Sequence, residues 1–171
     1  VKIIEAFAIY NCVNLESVTI PNTISEMYEG TFGECSKLES VSIPNSILKI
    51  GRYAFFACEN LSGLNIPNSV KEIADSAFAY CPQILTVNIP SSVEKIGKNA
   101  FIYCTNLTQV KIPASVKIIG EDAFSGCPKI KSVYCEVKGK PVGWDANWIA
   151  DEPSRKTFTR SEIIQWGGVD Y

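Results

Sequence analysis

The sequence predicts a solenoid, a fold in which the chain winds into stacked coils around a continuous apolar interior. Three kinds of residue recur at a spacing of 23 positions: Pro21, Pro44, Pro67, Pro90, Pro113; Cys12, Cys35, Cys58, Cys81, Cys104, Cys127; and Phe32, Phe55, Phe78, Phe101, Phe124. A unit of this length cannot enclose a core alone, so equivalent residues of successive units must stack on one another. We predict five full coils between Cys12 and Cys127, with partial units at both ends.

Each unit begins with a strand that buries one face. In the segment "LESVSIP", residues 38–44, the apolar Val41 and Ile43 alternate with Ser40 and Ser42. Alternation with a period of two is typical of a strand between core and solvent. The proline ends the strand, and the Asn and Ser after it favour a turn. Stacked coils would therefore form a parallel sheet along one side, with strands about 4.8 Å apart.

The return leg of each unit is compact. In "SILKIGRYAFFAC", residues 46–58, the apolar spacing predicts a short extended piece followed by one tight helical turn. Gly51, Gly97 and Gly120 share one position of the repeat. This position indicates close packing at a bend, because a phosphate-binding loop gathers its glycines in one segment.

The segment after Val137 departs from the period and contains Trp144, Trp148 and Trp166. The last coil of a solenoid exposes an apolar cross-section that must be covered. We therefore predict a repeat array at residues 1–136 and a capping tail at residues 137–171. An aromatic platform for sugars is the alternative, and burial of the tryptophans distinguishes the two. Within the tail, "ADEPSRKTFTRS" predicts an exposed loop and "EIIQW" a final strand.

The repeat unit also resembles a known family. Its pattern, Leu-x-x-Val-x-Ile-Pro-x-x-Val-x-x-Ile-Gly-x-x-Ala-Phe-x-x-Cys, recurs over about residues 1–135 and is similar to the BspA-like (treponemal-type) leucine-rich repeat. The tail "VYCEVKGKPVGWDANW" with the later "WGG" resembles the endings of such arrays in bacterial surface proteins. The resemblance implies a right-handed leucine-rich repeat solenoid, secreted or displayed on cells, that acts in adhesion or protein binding without catalysis.

The units at the two ends depart from this pattern. Ile9 replaces the phenylalanine in the first unit, and Cys135 with Glu136 replaces Ile-Pro in the last. Glu5, Tyr28 and Ala74 replace the glycine. The sequence also begins in the middle of a unit without Met or a signal peptide, so we expect it to be a piece of a longer protein.

The seven cysteines are predicted to be free thiols with a structural role. Metal sites use short spacings such as C-x2-C, whereas the repeat cysteines are 23 positions apart. Stacked cysteines would lie about 4.8 Å apart and point the same way, while a disulfide needs Cβ atoms about 3.5 to 4.5 Å apart and facing each other. Cys135, in the strand column of Ile112, is also expected in the core.

Composition argues against several functional classes. The chain has no histidine, which excludes Ser-His and Cys-His catalysis, and we interpret the carboxylate pairs Glu121–Asp122 and Asp151–Glu152 as solvated loop charges. The 16 basic and 18 acidic residues provide no field that would hold nucleic acid. No apolar run approaches the roughly 20 residues that cross a bilayer. We therefore predict no enzyme activity, no cofactor and no metal.

The outward side of the predicted strands is the first candidate binding surface. It is small, polar and uncharged for four coils and then gains Lys111 and Tyr134. Long and aromatic side chains dominate interface energies, so the C-terminal end is favoured. The predicted ligand-binding residues are Tyr134, Lys111, Gln109, Asn88 and Asn65. The partner is expected to be a host or cell-surface protein, with a glycan as the alternative.

Two further possibilities stay open at this point. A ridge of aromatic residues beside the Cys turns, here called the aromatic ridge, offers a second surface: Tyr53, Phe56, Tyr80 and Tyr103. The chain could also be a passive spacer within a larger surface protein, with the binding region elsewhere.

Overall fold

The computed structural model describes residues 3–150 and 161–167. This part of the chain contains ten short strands and a single-turn 3-10 helix, Ser161–Ile163. The strands are β1 (Ser17–Thr19), β2 (Ser40–Ser42), β3 (Lys49–Ile50), β4 (Glu72–Ile73), β5 (Thr86–Asn88), β6 (Lys95–Ile96), β7 (Gln109–Ile112), β8 (Ile118–Ile119), β9 (Ser132–Cys135) and β10 (Ile164–Trp166). We number the full coils 1 to 5, each ending at the cysteine of its unit, so that coil 3 is residues 59–81.

The strands form parallel ladders on two sides of the solenoid. The front side carries β1 paired with β2, and a separate sheet in the order β5-β7-β9-β10. The back side carries a sheet in the order β3-β4-β6-β8, built from the extended pieces of the return legs. Val110 pairs with Val87 on one side and Val133 on the other, so the register advances by one repeat per coil. The parallel solenoid with a period of 23 is confirmed.

In the interior between the two sides, residues at equivalent repeat positions stack on one another from coil to coil. The phenylalanine rings lie nearly parallel, and the Phe78 and Phe101 centroids are 5.2 Å apart with an interplanar angle of 10°. Stacked rings at this separation contribute about 0.5 to 1.5 kcal/mol beyond the area they bury. Beside them runs the cysteine column, in which the Cys81 thiol donates to the carbonyl of Phe55 at 3.1 Å.

The predicted helical turn on the return leg is wrong, since the described residues include no α-helix. Each coil instead has two residues with left-handed backbone, such as Ser76 (φ 54°) and Tyr80 (φ 59°) in coil 3. Between them, alternate amides donate to the next coil, and Phe78 N lies 2.8 Å from the carbonyl oxygen of Ala100. An α-helix would need the same N–H groups for carbonyls four residues earlier. Bonding between coils therefore replaces bonding along a helix.

The glycines of the bend lie against the backbone of the preceding coil, as predicted. A Cβ atom added to Gly120 would be 2.5 Å from the amide nitrogen of Lys98. One added to Gly51 would collide with the carbonyl oxygens of Met27 and Tyr28. A side chain at either position would force neighbouring coils apart.

The tail begins as an irregular continuation of the solenoid. Phe124 N donates to the Trp148 carbonyl at 2.9 Å, and Gly126 N donates to the Ala150 carbonyl at 3.0 Å. The final strand predicted in "EIIQW" is confirmed, because β10 pairs in parallel with β9. Most of the predicted loop, residues 151–160, lies outside the described residues. The division at residue 136 and the right-handed sense of the solenoid stay predictions.

The cysteines agree with the structural role expected of them. All seven are free; six are buried, including Cys135, and only Cys12 is exposed. Burial raises the pKa of the Cys81 and Cys135 thiols to about 12. Among the described residues, no three His, Cys, Asp or Glu side chains form a group that could hold a metal ion.

The helical segment in the described part of the chain is too short to span a membrane.

Candidate functional site

The front sheet aligns one outward residue per coil into a column. Asn88 of β5 pairs with Lys111 of β7, Lys111 pairs with Tyr134 of β9, and Tyr134 pairs with Gln165 of β10. Because alternate residues of a strand point to opposite faces, the members of this column all face solvent. Gln165 extends the column beyond the predicted residues, and the strand pattern in "EIIQW" was the signal that could have identified it.

Four of the five predicted binding residues converge on one depression of about 390 Å³. The side chains of Asn88, Gln109, Lys111 and Tyr134 line it, together with Thr86 and two strand valines. Asn65 does not belong to this depression, but lies in an adjoining one of about 380 Å³ that shares Asn88 with it. We call the first depression the Tyr134 site and the second the amide groove.

An ion pair controls the charge of the Tyr134 site. The ammonium of Lys111 lies 3.0 Å from Oε1 of Glu136, which sequence reasoning did not include. The hydrogen bond from Lys111 is the main reason that the Glu136 pKa lies below its usual value, and the Ala114 amide adds a second bond at 3.3 Å. Glu136 occupies the column of the strand-ending prolines, and this departure from the repeat was the available signal. The site therefore combines an exposed aromatic ring with a locally neutralised cation.

The paired carboxylates show no catalytic arrangement in the part that is described. Glu121 forms an ion pair with Lys98 at 2.6 Å. Asp122 is buried, which corrects the expectation of a solvated charge. The tail packs against its turn, and the backbone N–H of Asp122 donates to the carbonyl oxygen of Asn147 at 3.0 Å. Burial raises the pKa of Asp122, although a hydrogen bond with Ser125 opposes this effect. Asp151 and Glu152 lie outside the described residues.

The aromatic ridge packs against itself. The Tyr80 and Tyr103 ring centroids are 4.9 Å apart, and Phe56 meets Tyr53 and Tyr80 edge-on at 5.5 Å. Of these four side chains only Tyr80 is exposed, and the Arg52 guanidinium covers the Tyr53 ring at 4.6 Å from its centroid. The ridge therefore contributes to packing between coils and offers little free ring surface.

The tryptophans of the tail do not form an exposed platform. Trp144 and Trp148 are 2% and 0% exposed, and the Trp144 indole donates to the Val116 carbonyl at 3.0 Å. Trp148 meets the Phe124 ring edge-on at 5.9 Å. Trp166 is 36% exposed and lies tilted against Trp144. A three-tryptophan platform for sugars is therefore excluded, and the two buried rings cover coil 5.

Comparison with known proteins agrees with this architecture. The family model of the BspA-type leucine-rich repeat region matches residues 1–138 with six copies. Among proteins with curated descriptions, no match is found.

Three solved structures are similar to the chain. A leucine-rich repeat protein of T. pallidum is 31% identical over 75% of the chain, with a TM-score of 0.73. One from Bacteroides ovatus is 35% identical over 77% of the chain, with a TM-score of 0.73. A leucine-rich cell surface protein of Faecalibacterium prausnitzii is 31% identical over 73% of the chain, with a TM-score of 0.68.

The chain corresponds to only part of these relatives, since the matches cover 60%, 35% and 32% of their respective lengths. The family match nevertheless extends over most of the chain and coincides with the stacked coils. The chain therefore belongs to the BspA-type leucine-rich repeat family.

Proposed function

We propose that the chain is a non-catalytic binding module that presents its front sheet to a partner protein. Leucine-rich repeat domains generally mediate protein interactions, and this solenoid family is typically non-enzymatic. The contact would centre on the Tyr134 site, at the C-terminal end of the sheet. The observation that carries the proposal is the convergence of Tyr134, Lys111, Gln109 and Asn88 on one solvent-facing depression.

The chemistry of the Tyr134 site suits a protein surface. Tyr134 is 42% exposed, so its ring can bury further apolar area in a complex while its hydroxyl stays bonded to water or partner. In the ion pair, the Lys111 ammonium is a hydrogen-bond donor and the Glu136 carboxylate is an acceptor. A partner that supplies both a carboxylate and an amide would bind through charge-assisted hydrogen bonds.

We further propose a location on the cell surface or outside the cell. The F. prausnitzii relative, which is named as a cell surface protein, supports this location. A spacer function is the alternative, and the small outward residues of coils 1 and 2, such as Ser17, Thr19, Ser40 and Ser42, favour it over that part of the sheet.

A binding survey with matched variants tests the proposal. The parent chain, the double variant Tyr134→Ser with Lys111→Ser, and the control Lys71→Ser would be applied to an array of purified extracellular-matrix and plasma proteins. Serine matches the outward residues of the first coils, and Lys71 is exposed on the back side. We expect the double variant to lose roughly 1 to 3 kcal/mol of binding free energy, which is about fivefold to 150-fold in Kd.

The control should bind as the parent does, at one fixed salt concentration. Equal losses in the control and the double variant would move the contact away from the Tyr134 site. Failure of the parent to bind any protein on the array would favour the spacer function.

A further inference from the structure

The front sheet is interrupted at coil 3. On the front side, where β2 and β5 flank it, this coil forms no strand and makes only an isolated bridge from Gly63 to Ser40. Gly63 stands where the neighbouring coils have Ser40 and Thr86, and glycine is a poor strand former. Leu64 is only half-buried, whereas Val41 and Val87 of the adjacent coils are buried. The amide groove lies beside this interruption and includes Leu64 and Asn65.

Four asparagines from three successive coils line the amide groove: Asn45, Asn65, Asn68 and Asn88. Ile43, Ile66, Pro67 and Pro90 also line it, but these four residues are largely buried. None of the four carboxamides forms a hydrogen bond with another group in the described part of the chain. Two asparagines outside the groove differ, because Asn14 and Asn106 accept hydrogen bonds from Lys37 and Lys129 of the next coil.

The residues of the groove specify the chemistry of a ligand. Each carboxamide offers two N–H donors and one carbonyl acceptor, so the four together can donate and accept at several points. No ionisable side chain lines the groove, which leaves nothing to balance the charge of a phosphate, a sulfate or a carboxylate. Hydroxyl groups are neutral and both donate and accept, so they match a cluster of carboxamides.

The volume and the polar lining of the groove favour a saccharide as the ligand. The volume of about 380 Å³ lies within the usual range of small-molecule sites, roughly 300 to 1,000 Å³. The groove lacks an open apolar pocket for an anchoring side chain of a protein, because Ile43 and Ile66 are 8% and 7% exposed. The accessible lining is mainly polar, which suits the hydroxyls at the edge of a sugar ring.

We propose that the amide groove binds a neutral saccharide of one or two pyranose rings. The carboxamides of Asn65 and Asn68 in coil 3 contact its hydroxyls from one coil, while Asn45 and Asn88 contact it from the coils on either side. This site adjoins the Tyr134 site through Asn88 but uses neither Tyr134 nor Lys111. The two sites therefore share only Asn88, and substitutions at Tyr134 and Lys111 test the protein contact without changing the groove.

Side-chain amide NMR provides a direct test. The 15N-labelled chain would be titrated with glucose, galactose, mannose, N-acetylglucosamine, cellobiose and lactose, and with a Gly-Ser octapeptide as the peptide probe. We expect at least one sugar to shift the NH2 resonances of Asn65 and Asn68 in a saturable manner, with a Kd of about 1 mM. The same sugar should leave the resonances of Asn14 unchanged.

Matched variants connect the shifts to the groove. The double variant Asn65→Ser with Asn68→Ser uses residues that the repeat already tolerates. Coil 2 has Ser42 at the position of Asn65, and coil 4 has Ser91 at the position of Asn68. It should keep the melting temperature of the parent and weaken sugar binding by at least about tenfold, which corresponds to one hydrogen-bonded contact or more. Asn22→Ser, in the column of Asn45 and Asn68 but outside the groove, should bind as the parent does.

Three results would overturn the assignment. They are the absence of saturable shifts with every sugar, an unchanged Kd in the Asn65→Ser, Asn68→Ser variant, and shifts caused by the octapeptide but not by the sugars. The variant Tyr134→Ser with Lys111→Ser should bind the sugar normally. Loss of protein binding in that variant with retention of sugar binding would separate the two sites.

Discussion

The two ends of the solenoid contain equivalent columns in very different surroundings. At the N-terminal end Cys12 is exposed and Ile9 is only half-buried, whereas Cys127 and Phe124 of the same columns are 2% and 1% exposed. The difference arises because residues of the tail cover coil 5 through Trp148. The burial of a repeat residue therefore depends on the neighbouring coil as much as on its own identity.

Removing the tail should have the largest effect. Truncation after Glu136 would uncover Phe124 and Ile119 and delete Trp144, Trp148 and β10. Because two tryptophans and their apolar contacts are lost, we expect a loss of several kcal/mol in the free energy of unfolding, or aggregation. Size-exclusion chromatography and thermal unfolding followed by circular dichroism would measure both. A truncated chain that stays monomeric with the melting temperature of the parent would refute a capping role.

Single substitutions at the two ends should show a smaller contrast. Trp148→Ala removes a fully buried ring and should cost about 3 to 5 kcal/mol in the free energy of unfolding. Phe7→Ala, at the other end, removes a ring that is 48% exposed and should cost about 1 kcal/mol or less. Urea unfolding of both variants beside the parent makes the comparison. Similar costs at the two ends would show that burial does not govern the difference.

The reactivity of the thiols should distinguish the two ends in the unmodified protein, without any substitution. Cys12 is exposed and should react quickly with Ellman's reagent in the folded protein. The other six are buried and should react only on unfolding, because burial lowers access and, at Cys81 and Cys135, a pKa of about 12 keeps the thiolate scarce. Fast reaction of several thiols, or a non-reduced mass lower by a pair of hydrogens, would contradict the free and buried assignment.

The columns of the core and the front strands were predictable because both depend on short-range alternation and on the spacing of 23. The extended piece of the return leg was also visible, although its pairing into a back sheet was not. The helical turn was predicted wrongly because the spacing Ala-Phe-x-x-Cys fits one helical turn and the observed turn equally well. Only the hydrogen bonds to the next coil, such as Phe78 to Ala100, distinguish them.

The candidate site was predictable to the extent that it follows the register. Asn88, Lys111 and Tyr134 occupy one column, so their alignment follows from the repeat alone. The ion pair with Glu136 depends on side-chain conformation just beyond a strand end. The amide groove lies where coil 3 forms no front strand, and apolar periodicity does not predict such an interruption.

The alternate amides of the Phe-Cys turns have an electrostatic consequence. In coil after coil, from Phe7 to Gly126, these N–H groups donate towards the C-terminal end, while their acceptor carbonyls point back. Peptide dipoles of about 3.5 D that share one direction add instead of cancelling, as they do along an α-helix. This side of the solenoid is therefore an axial dipole with its positive end at the tail, where the Asp145 carboxylate accepts a hydrogen bond from Asn147 N at 2.7 Å.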